Sequence, residues 1–319
     1  MGEQNLNYDS KLDIAVEDDT AEIQANSVDP SEEEESLESS SLWRDAFRRL
    51  LRDKVAIIGL VVLFVIVLAA ACAPLLTSYN PDEVVLSERF IAPFSEGHLL
   101  GTDHMGRDLF TRMLYGGRVS VAIGVFAVAI ALIIGVFIGL LSGYYRGLVD
   151  TVSVFFINIL MAFPYVLLAI SIIAALGTGL RNSMIAVAIV GIPFYARIVR
   201  GTVLSLRERE FIQAERALGA SNLRIIFRHI LPNTISPVIV GATLDVGWMI
   251  VMAAGLSFLG LGAQPPMAEW GVMLSDGQKF IRESAYLSLL PGLAIFLVVL
   301  SLNFLGDGLR DALDPNLKN

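Results

Sequence analysis

Residues 211–232 read FIQAERALGASNLRIIFRHILP. This stretch is polar, carries three arginines, and lies between long apolar runs on both sides. The whole chain has 319 residues, of which 55% are hydrophobic and 17% charged, and its mean hydropathy is +0.64. These values lie outside the ordinary range of soluble proteins, so the composition predicts an integral membrane protein.

Six apolar runs are candidates for membrane-spanning helices. A hydrocarbon core of about 30 Å takes roughly 20 apolar residues in a helix, because every backbone polar group must be hydrogen-bonded within the segment. The runs lie at residues 55–76, 119–144, 151–176, 182–196, 235–259 and 284–305. The fourth is short, but Arg181 and Arg197 at its ends can extend their charged groups to the two interfaces. The sequence therefore predicts an all-α protein with six transmembrane helices.

The positions of lysine and arginine predict the orientation, because positive residues are retained on the cytoplasmic side. With the N-terminus inside, fifteen of these residues in the membrane-embedded part are cytoplasmic and seven are outside. Both termini and the loop at 201–234 are then cytoplasmic. We predict a multi-pass protein of the cell membrane, that is, the inner or plasma membrane.

Charge and hydropathy divide the chain into three predicted regions. Residues 1–41 hold thirteen acidic residues against Lys11, which predicts a disordered acidic cytoplasmic tail. Residues 42–100 contain an N-terminal anchor helix and an extracytoplasmic segment, and the helix is long enough to stay in the membrane. Residues 101–319 form the main transmembrane domain, which includes the 201–234 loop.

No motif of enzymatic chemistry is present in the sequence, which lacks GxxxxGK[ST], HExxH and GxSxG patterns. We therefore predict neither an enzyme nor a cofactor bound by this chain. His98, Asp103, His104 and Asp108 could in principle supply metal ligands. The acids in GTDHMGRD are also typical of turns and helix caps, and we favour that interpretation over a metal site.

Asp245 is the acidic residue within the predicted fifth span. It could line a polar translocation path or pair with a neighbouring subunit. Asn158, in the third span, is a second path candidate, although amides in spans more often form hydrogen bonds between helices. Scarce charge at membrane depth disfavours an ion-coupled carrier.

The loop has the pattern of a helix, a break and a second helix. We predict a helix over 207–218, a break at Gly219, and a short helix that Ser221 caps. Leu223, Ile226 and Ile230 fall on one face of this second helix, which suits a groove on a partner protein. We expect the helix to end at Leu231 and Pro232 and the next span to open at Pro237. The alternative is an amphipathic helix that lies on the bilayer.

This loop resembles the EAA loop of binding-protein-dependent ABC transporter permeases. Gln213, Ala214 and Glu215 stand at the Glu-Ala-Ala positions, and Gly219 follows at the family spacing, as does Leu231 with Pro232. Gln213 replaces the acid and Glu215 replaces the second alanine. The resemblance implies that the loop docks on an ATPase subunit. The implied docking residues are Gln213, Ala214, Glu215, Gly219, Ala220, Ser221, Leu223, Ile226, Phe227, Leu231 and Pro232.

Two further segments resemble the C-type permease subunit of the dipeptide/oligopeptide importer family. They are GTDHMGRDLFTRMLYGGRVSV at 101–121 and LSFLGLGAQPPMAEWGVML at 256–274. The C-terminal FLGDGLRDALDPNLK is similar as well. The resemblance extends from about residue 43 to residue 318 and implies a type I ABC importer permease-like bundle.

The resemblance also implies the partners. These are a B-type permease subunit, two cytoplasmic ATPase subunits that hold ATP and Mg, an extracytoplasmic substrate-binding protein, and membrane lipid, with no nucleic acid. The implied cargo is a dipeptide or oligopeptide, and relatives also carry glutathione or nickel complexes. The alternatives are a channel or ion-coupled carrier that works alone, an ATPase-linked exporter half, which the absence of a phosphate-loop motif disfavours, and a purely structural membrane anchor.

The extracytoplasmic segments are where such a binding protein would dock. The candidate residues are Asp103, Arg107, Asp108, Gln264 and Trp270. The alternative role of these segments is to cap the helix bundle.

Overall fold

The computed structural model describes residues 47–313, so the predicted acidic tail at 1–41 lies outside the described range, as do residues 314–319. The regular elements between 47 and 313 are helices. They are α1 (Lys54–Ala71), α2 (Ala73–Leu76), α3 (Leu109–Tyr145), α4 (Gly147–Ala162), α5 (Tyr165–Leu176), α6 (Leu180–Leu206), α7 (Glu210–Ala217), α8 (Asn222–Phe258), α9 (Trp270–Gln278) and α10 (Tyr286–Leu313). The all-α prediction is thus confirmed for the described part of the chain.

Five of these helices, α1, α3, α6, α8 and α10, are long and apolar enough to cross a membrane. The pair α4 and α5 makes a sixth span if the two are counted together. Several bounds differ from the prediction, because polar ends extend the helices beyond their apolar cores. In particular, α6 has 27 residues and extends well past the short run at 182–196.

The third predicted span is broken at Phe163 and Pro164, where α4 and α5 meet at 97°. Phe163 has an extended backbone with ψ of 142°, because a residue before proline is pushed out of the helical region. Pro193, in contrast, lies inside α6 without ending it.

A close packing seam joins α3 to α6 through three glycines of α3. A Cβ at Gly135 would lie 2.6 Å from Tyr195 Cβ, and one at Gly143 would lie 2.7 Å from Val203 Cβ. Between them, a Cβ at Gly139 would lie 2.7 Å from the Ala196 carbonyl oxygen. The missing side chains therefore let the two backbones meet, as small residues do in membrane helix pairs.

Helix α8 packs across this pair. Gly124 of α3 faces Ile250 of α8, where a Cβ would lie 2.5 Å from Ile250 Cγ1. Buried residues of α3, α5, α6 and α8 form one apolar core, which includes Ile123, Ile173, Val187 and Met249.

We predict that Gly139→Ala destabilises the folded protein by about 1–3 kcal/mol, because the added methyl group must displace backbone atoms of α6. The measurement is thermal unfolding in detergent. The matched control is Gly201→Ala in α6, where a Cβ would meet nothing within 4 Å and alanine favours the helix by about 0.5–1 kcal/mol. Equal unfolding temperatures for the two variants would contradict close packing of α3 on α6 at Gly139.

Candidate functional site

The loop segment, defined as residues 207–230, follows α6 and contains α7 and the start of α8. The chain reverses after α7 at Gly219, whose φ is +80°. The Ala220 N–H donates to the Glu215 carbonyl at 3.0 Å, and the Gly219 N–H donates to the Arg216 carbonyl at 3.0 Å. This is a glycine-dependent helix stop, because side chains with a Cβ disfavour positive φ. The predicted break at Gly219 is therefore present.

The predicted cap at Ser221 is confirmed, since its Oγ accepts a hydrogen bond from the Arg224 N–H at 3.4 Å. The predicted helix end at Leu231 and Pro232 is wrong. One continuous helix, α8, extends from Asn222 to Phe258. Pro237 accordingly lies within α8 rather than at the start of a span.

A π-helical turn over Ile225–Ile230 lets α8 continue through Pro232. The Leu231 N–H donates five residues back, to the Ile226 carbonyl. Proline lacks an N–H and crowds the carbonyl four residues before it, so a wider turn just ahead of it relieves that conflict. Residues 222–230 of the loop segment and the membrane-spanning part of α8 are consequently one continuous helix.

The π turn also decides which side chains are buried. Ile226 and Ile230 are 3% and 0% exposed, and they join the apolar core with Ile212 and Ile225. The prediction that Ile226 and Ile230 share a partner-facing surface with Leu223 is therefore wrong. Leu223 remains exposed, at 63%.

The exposed apolar surface of the loop segment, here called the loop face, consists of Phe211, Leu218, Leu223 and Phe227. Leu218 is 84% exposed and Phe227 59%. Phe211 and Leu218 were not among the predicted docking residues, and their exposure in the structure is what identifies them.

The other predicted loop residues differ in their exposure. Gln213, Ala214 and Pro232 are exposed, whereas Ala220 and Leu231 are half-buried. Glu215 is half-buried and places its Oε1 3.4 Å from His229 Nε2.

Ion pairs that the sequence did not predict tie the helix ends together beside the loop segment. Asp150 of α4 receives two hydrogen bonds from Arg200 of α6, at 2.6 and 2.8 Å, and one from Ser142 of α3, at 2.5 Å. Arg146 contacts Glu208 at 2.9 Å. In the sequence, these residues are recognisable only as charges near the ends of apolar runs, and their positions do not show which of them pair.

At the opposite end of the bundle, residues 77–108 and 260–285 form a region here called the cap. Asp103 accepts a hydrogen bond from Arg107 Nε at 2.7 Å and lies 3.6 Å from Arg112 Nε. Arg112 is 2% exposed and donates to the carbonyls of Pro81 and Pro266. Buried charges of this kind require such partners.

The acids of GTDHMGRD act as turn and cap residues. Asp108 Oδ1 accepts from the Thr111 N–H at 2.7 Å at the start of α3, and Asp108 Oδ2 lies 2.8 Å from His98 Nδ1. His104 stacks on Phe280, and burial lowers the pKa of His104. Among residues 47–313, no group of three or more His, Cys, Asp or Glu side chains could hold a metal ion.

Of the five residues predicted to face a binding protein, four are buried. Asp103, Arg107 and Asp108 form the contacts above, and Trp270 is 2% exposed with its Nε1 donating to the Met113 carbonyl. The fifth, Gln264, is exposed.

The sequence analysis missed Glu269, which is 1% exposed. Its carboxylate caps α9 by accepting from the N–H groups of Gly271 and Val272, and it also accepts from Ser120 Oγ at 3.0 Å. The residues next to Glu269 in the sequence do not indicate its burial, because its partner Ser120 lies on α3, far away in the chain.

The two path candidates differ in their exposure. Asp245 is half-buried and accepts a hydrogen bond from Tyr195 Oη of α6 at 2.8 Å. Asn158 is exposed on α4. The hydrogen bond between Tyr195 and Asp245 joins α6 to α8 at membrane depth.

Comparison with solved structures supports the fold. Two inward-facing structures of the MetNI methionine ABC transporter match with TM-scores of 0.52 and 0.51, at 20% and 21% identity. The first match covers 62% of this chain and 94% of that one, and the second covers 64% and 96%. At this identity, the likeness shows a shared fold alone.

Relatives in sequence are much more similar. The dipeptide transport system permease protein DppC of Alkalihalophilus pseudofirmus is 51% identical over 286 residues, which cover 90% of this chain and 94% of that protein. The glutathione transport system permease protein GsiD of Pectobacterium atrosepticum is 44% identical over 277 residues, covering 87% and 92%. GsiD of Escherichia coli is 44% identical over 276 residues, covering 86% and 91%.

Two family models match complementary parts of the chain. The N-terminal TM domain of oligopeptide transport permease C matches residues 41–93. The binding-protein-dependent transport system inner membrane component matches residues 135–319, which include the loop segment. The chain therefore belongs to the inner membrane components of binding-protein-dependent transport systems, as a C-type permease subunit of an ABC importer in which separate subunits hydrolyse ATP.

Proposed function

We propose that this permease imports dipeptides or oligopeptides, which a substrate-binding protein delivers, and that its loop face docks on an ATPase subunit. The observation that carries the proposal is that the loop segment exposes four large apolar side chains while its isoleucines are buried in the core. The loop segment and both termini are cytoplasmic in this proposal, in agreement with the distribution of lysine and arginine.

The loop face has the properties of a protein-binding surface. Exposed apolar residues grouped on a folded surface are typical of interaction sites. Here the four large apolar side chains of the loop face are exposed, while Ile212, Ile225 and Ile230 of the same segment are fully buried in the apolar core and give it a packed base. A rigid base lowers the entropic cost of association and lets an applied displacement reach the membrane helices.

The proposed assembly contains a B-type permease subunit, two ATPase subunits and the binding protein. ATP and Mg bind the ATPase subunits, and this chain binds no cofactor. The regions 1–41, 42–100 and 101–319 then serve as a solvated tail, an anchor with its extracytoplasmic segment, and the permease domain. The cap faces the binding protein through exposed residues such as Gln264, while its buried charges hold the cap in shape.

Peptide is the cargo that the most similar relatives described above favour, since DppC of A. pseudofirmus is 51% identical. Glutathione is the second candidate, because relatives named for glutathione transport are 44% identical. Fold alone does not select cargo. A nickel complex is the third possibility.

The first experiment measures ATP hydrolysis by the purified complex in lipid, with binding protein loaded with short peptides, with glutathione, or empty. We expect peptide-loaded binding protein to stimulate hydrolysis and the empty protein to stimulate it less. Stimulation by glutathione alone would transfer the function to the second cargo. A chain that copurifies with no ATPase would overturn the docking proposal.

We predict that Gly219→Pro uncouples the importer while the chain stays in the membrane. Proline cannot adopt a φ of +80° and cannot donate the N–H that bonds Arg216, so the turn between α7 and α8 is lost. The measurement is cargo uptake into proteoliposomes. Gly219→Asn is the matched control, because asparagine tolerates positive φ, and it should retain most uptake. Wild-type uptake by Gly219→Pro would exclude a coupling role for this turn.

We predict that the double variant Leu223→Ala, Phe227→Ala weakens ATPase association by about 2 kcal/mol or more, as loss of central apolar anchors does. Its unfolding temperature should stay unchanged, because both side chains are exposed. The comparison is Ile226→Ala, which removes a buried side chain and should destabilise the chain itself by about 2–5 kcal/mol. Full ATPase copurification with the double variant would show that the loop face is not the docking surface.

A further inference from the structure

Tyr144, one residue before the end of α3, is the point where the loop segment meets the membrane helices. Its side chain is 5% exposed, although it lies at the end of a long helix where polar groups normally reach water. Its hydroxyl, ring and carbonyl oxygen each contact a different part of the chain beyond α6. These contacts were not predicted from the sequence.

The hydroxyl of Tyr144 donates to Asn222 Oδ1 at 2.7 Å. Asn222 is the first residue of α8 and follows the Ser221 cap directly. Because α8 is continuous from Asn222 to Phe258, this hydrogen bond joins the end of α3 to the beginning of a membrane-spanning rod.

The other two groups of Tyr144 hold the rest of the loop segment. The carbonyl oxygen accepts from Arg207 Nη1 at 2.8 Å, just after α6. The guanidinium of Arg216, on α7, lies 5.2 Å from the ring centroid, which is within the range of a cation–π interaction. One residue of α3 thus contacts the end of α6, α7 and the start of α8.

The last turn of α3 is in turn tied to its membrane neighbours. Ser142 bonds Asp150 of α4, and Arg200 of α6 bonds the same carboxylate. Gly143 lies against Val203 of α6 without space for a side chain. A force applied to Tyr144 therefore acts on α3, α4 and α6 together, because this turn has no freedom to move alone.

We propose that Tyr144 is a positioning residue for coupling, and that its hydroxyl bond to Asn222 makes α3 follow the start of α8 when an ATPase subunit displaces the loop segment. This inference rests on the proposed function of the loop face. Without the hydroxyl, the loop segment can move with the ATPase while α3 stays behind. Hydrolysis then continues with less cargo moved.

The test uses Tyr144→Phe in the complete complex, reconstituted in proteoliposomes with binding protein and the cargo that stimulates ATP hydrolysis in the first experiment. Phenylalanine keeps the ring over which Arg216 lies and the carbonyl that Arg207 bonds, and removes only the hydroxyl. We measure cargo uptake and ATP hydrolysis on the same preparation. The ratio of cargo moved to ATP hydrolysed should fall roughly fivefold, the factor that corresponds to one net hydrogen bond.

Tyr145→Phe is the matched control, because Tyr145 is the adjacent residue, stands edge-on to the Tyr144 ring and is 45% exposed. Its ratio should equal that of the wild type. Asn222→Ala should lower the ratio as Tyr144→Phe does, and the two changes together should do no further harm. Asn222→Asp keeps an acceptor for the Tyr144 hydroxyl and should therefore keep the wild-type ratio of cargo moved to ATP hydrolysed.

A purely structural role for Tyr144 would give a different pattern. Uptake and hydrolysis would then fall in proportion, the unfolding temperature would drop, and the ratio would stay constant. An unchanged ratio in Tyr144→Phe, or additive effects of Tyr144→Phe and Asn222→Ala, would overturn the inference alone. Absence of ATPase from the wild-type preparation would instead overturn the proposed function, and the inference with it.

Discussion

Glycines 135, 139 and 143 of α3 bring its backbone against α6, where a Cβ would lie within 2.8 Å of α6 atoms. In a membrane, lipid tails are as apolar as side chains, so helices associate through close packing rather than through the hydrophobic effect. Helix α8 and the loop segment are both attached to this pair of helices. Helix α8 packs across it at Gly124 and bonds α6 through Asp245 and Tyr195, and the last turn of α3 anchors the loop segment.

The loop segment is polar in sequence and rigid in structure. Its rigidity comes from the burial of isoleucine side chains in the core, while leucine and phenylalanine side chains of the same segment remain outside. The stop at Gly219 fixes the angle between the two helices. A partner that binds the outer side chains therefore pushes on a body that is continuous with the membrane helices, which is the mechanical requirement for coupling.

In the cap, several charged residues are buried rather than exposed. Its charged residues are those that a sequence suggests for a partner interface, yet Asp103, Arg107 and Asp108 bond one another, the backbone or nearby side chains inside the fold. Glu269 joins α9 to Ser120 of α3 in the same way. Burial of these charges is tolerable because each has its partners, and the resulting network holds the ends of α3 and α9 in place.

The sequence by itself determined the features that depend on neighbouring residues. Apolar length predicted the spans, the Gly219 and Ser221 positions predicted the break and the cap, and the 211–232 motif indicated the family. Only the tertiary structure decided that α8 continues through Pro232, that Ile226 is interior, and that Tyr144 joins three elements. Those outcomes depend on partners distant in the chain and on a π turn that changes the helical register, and no local pattern in the sequence encodes either one.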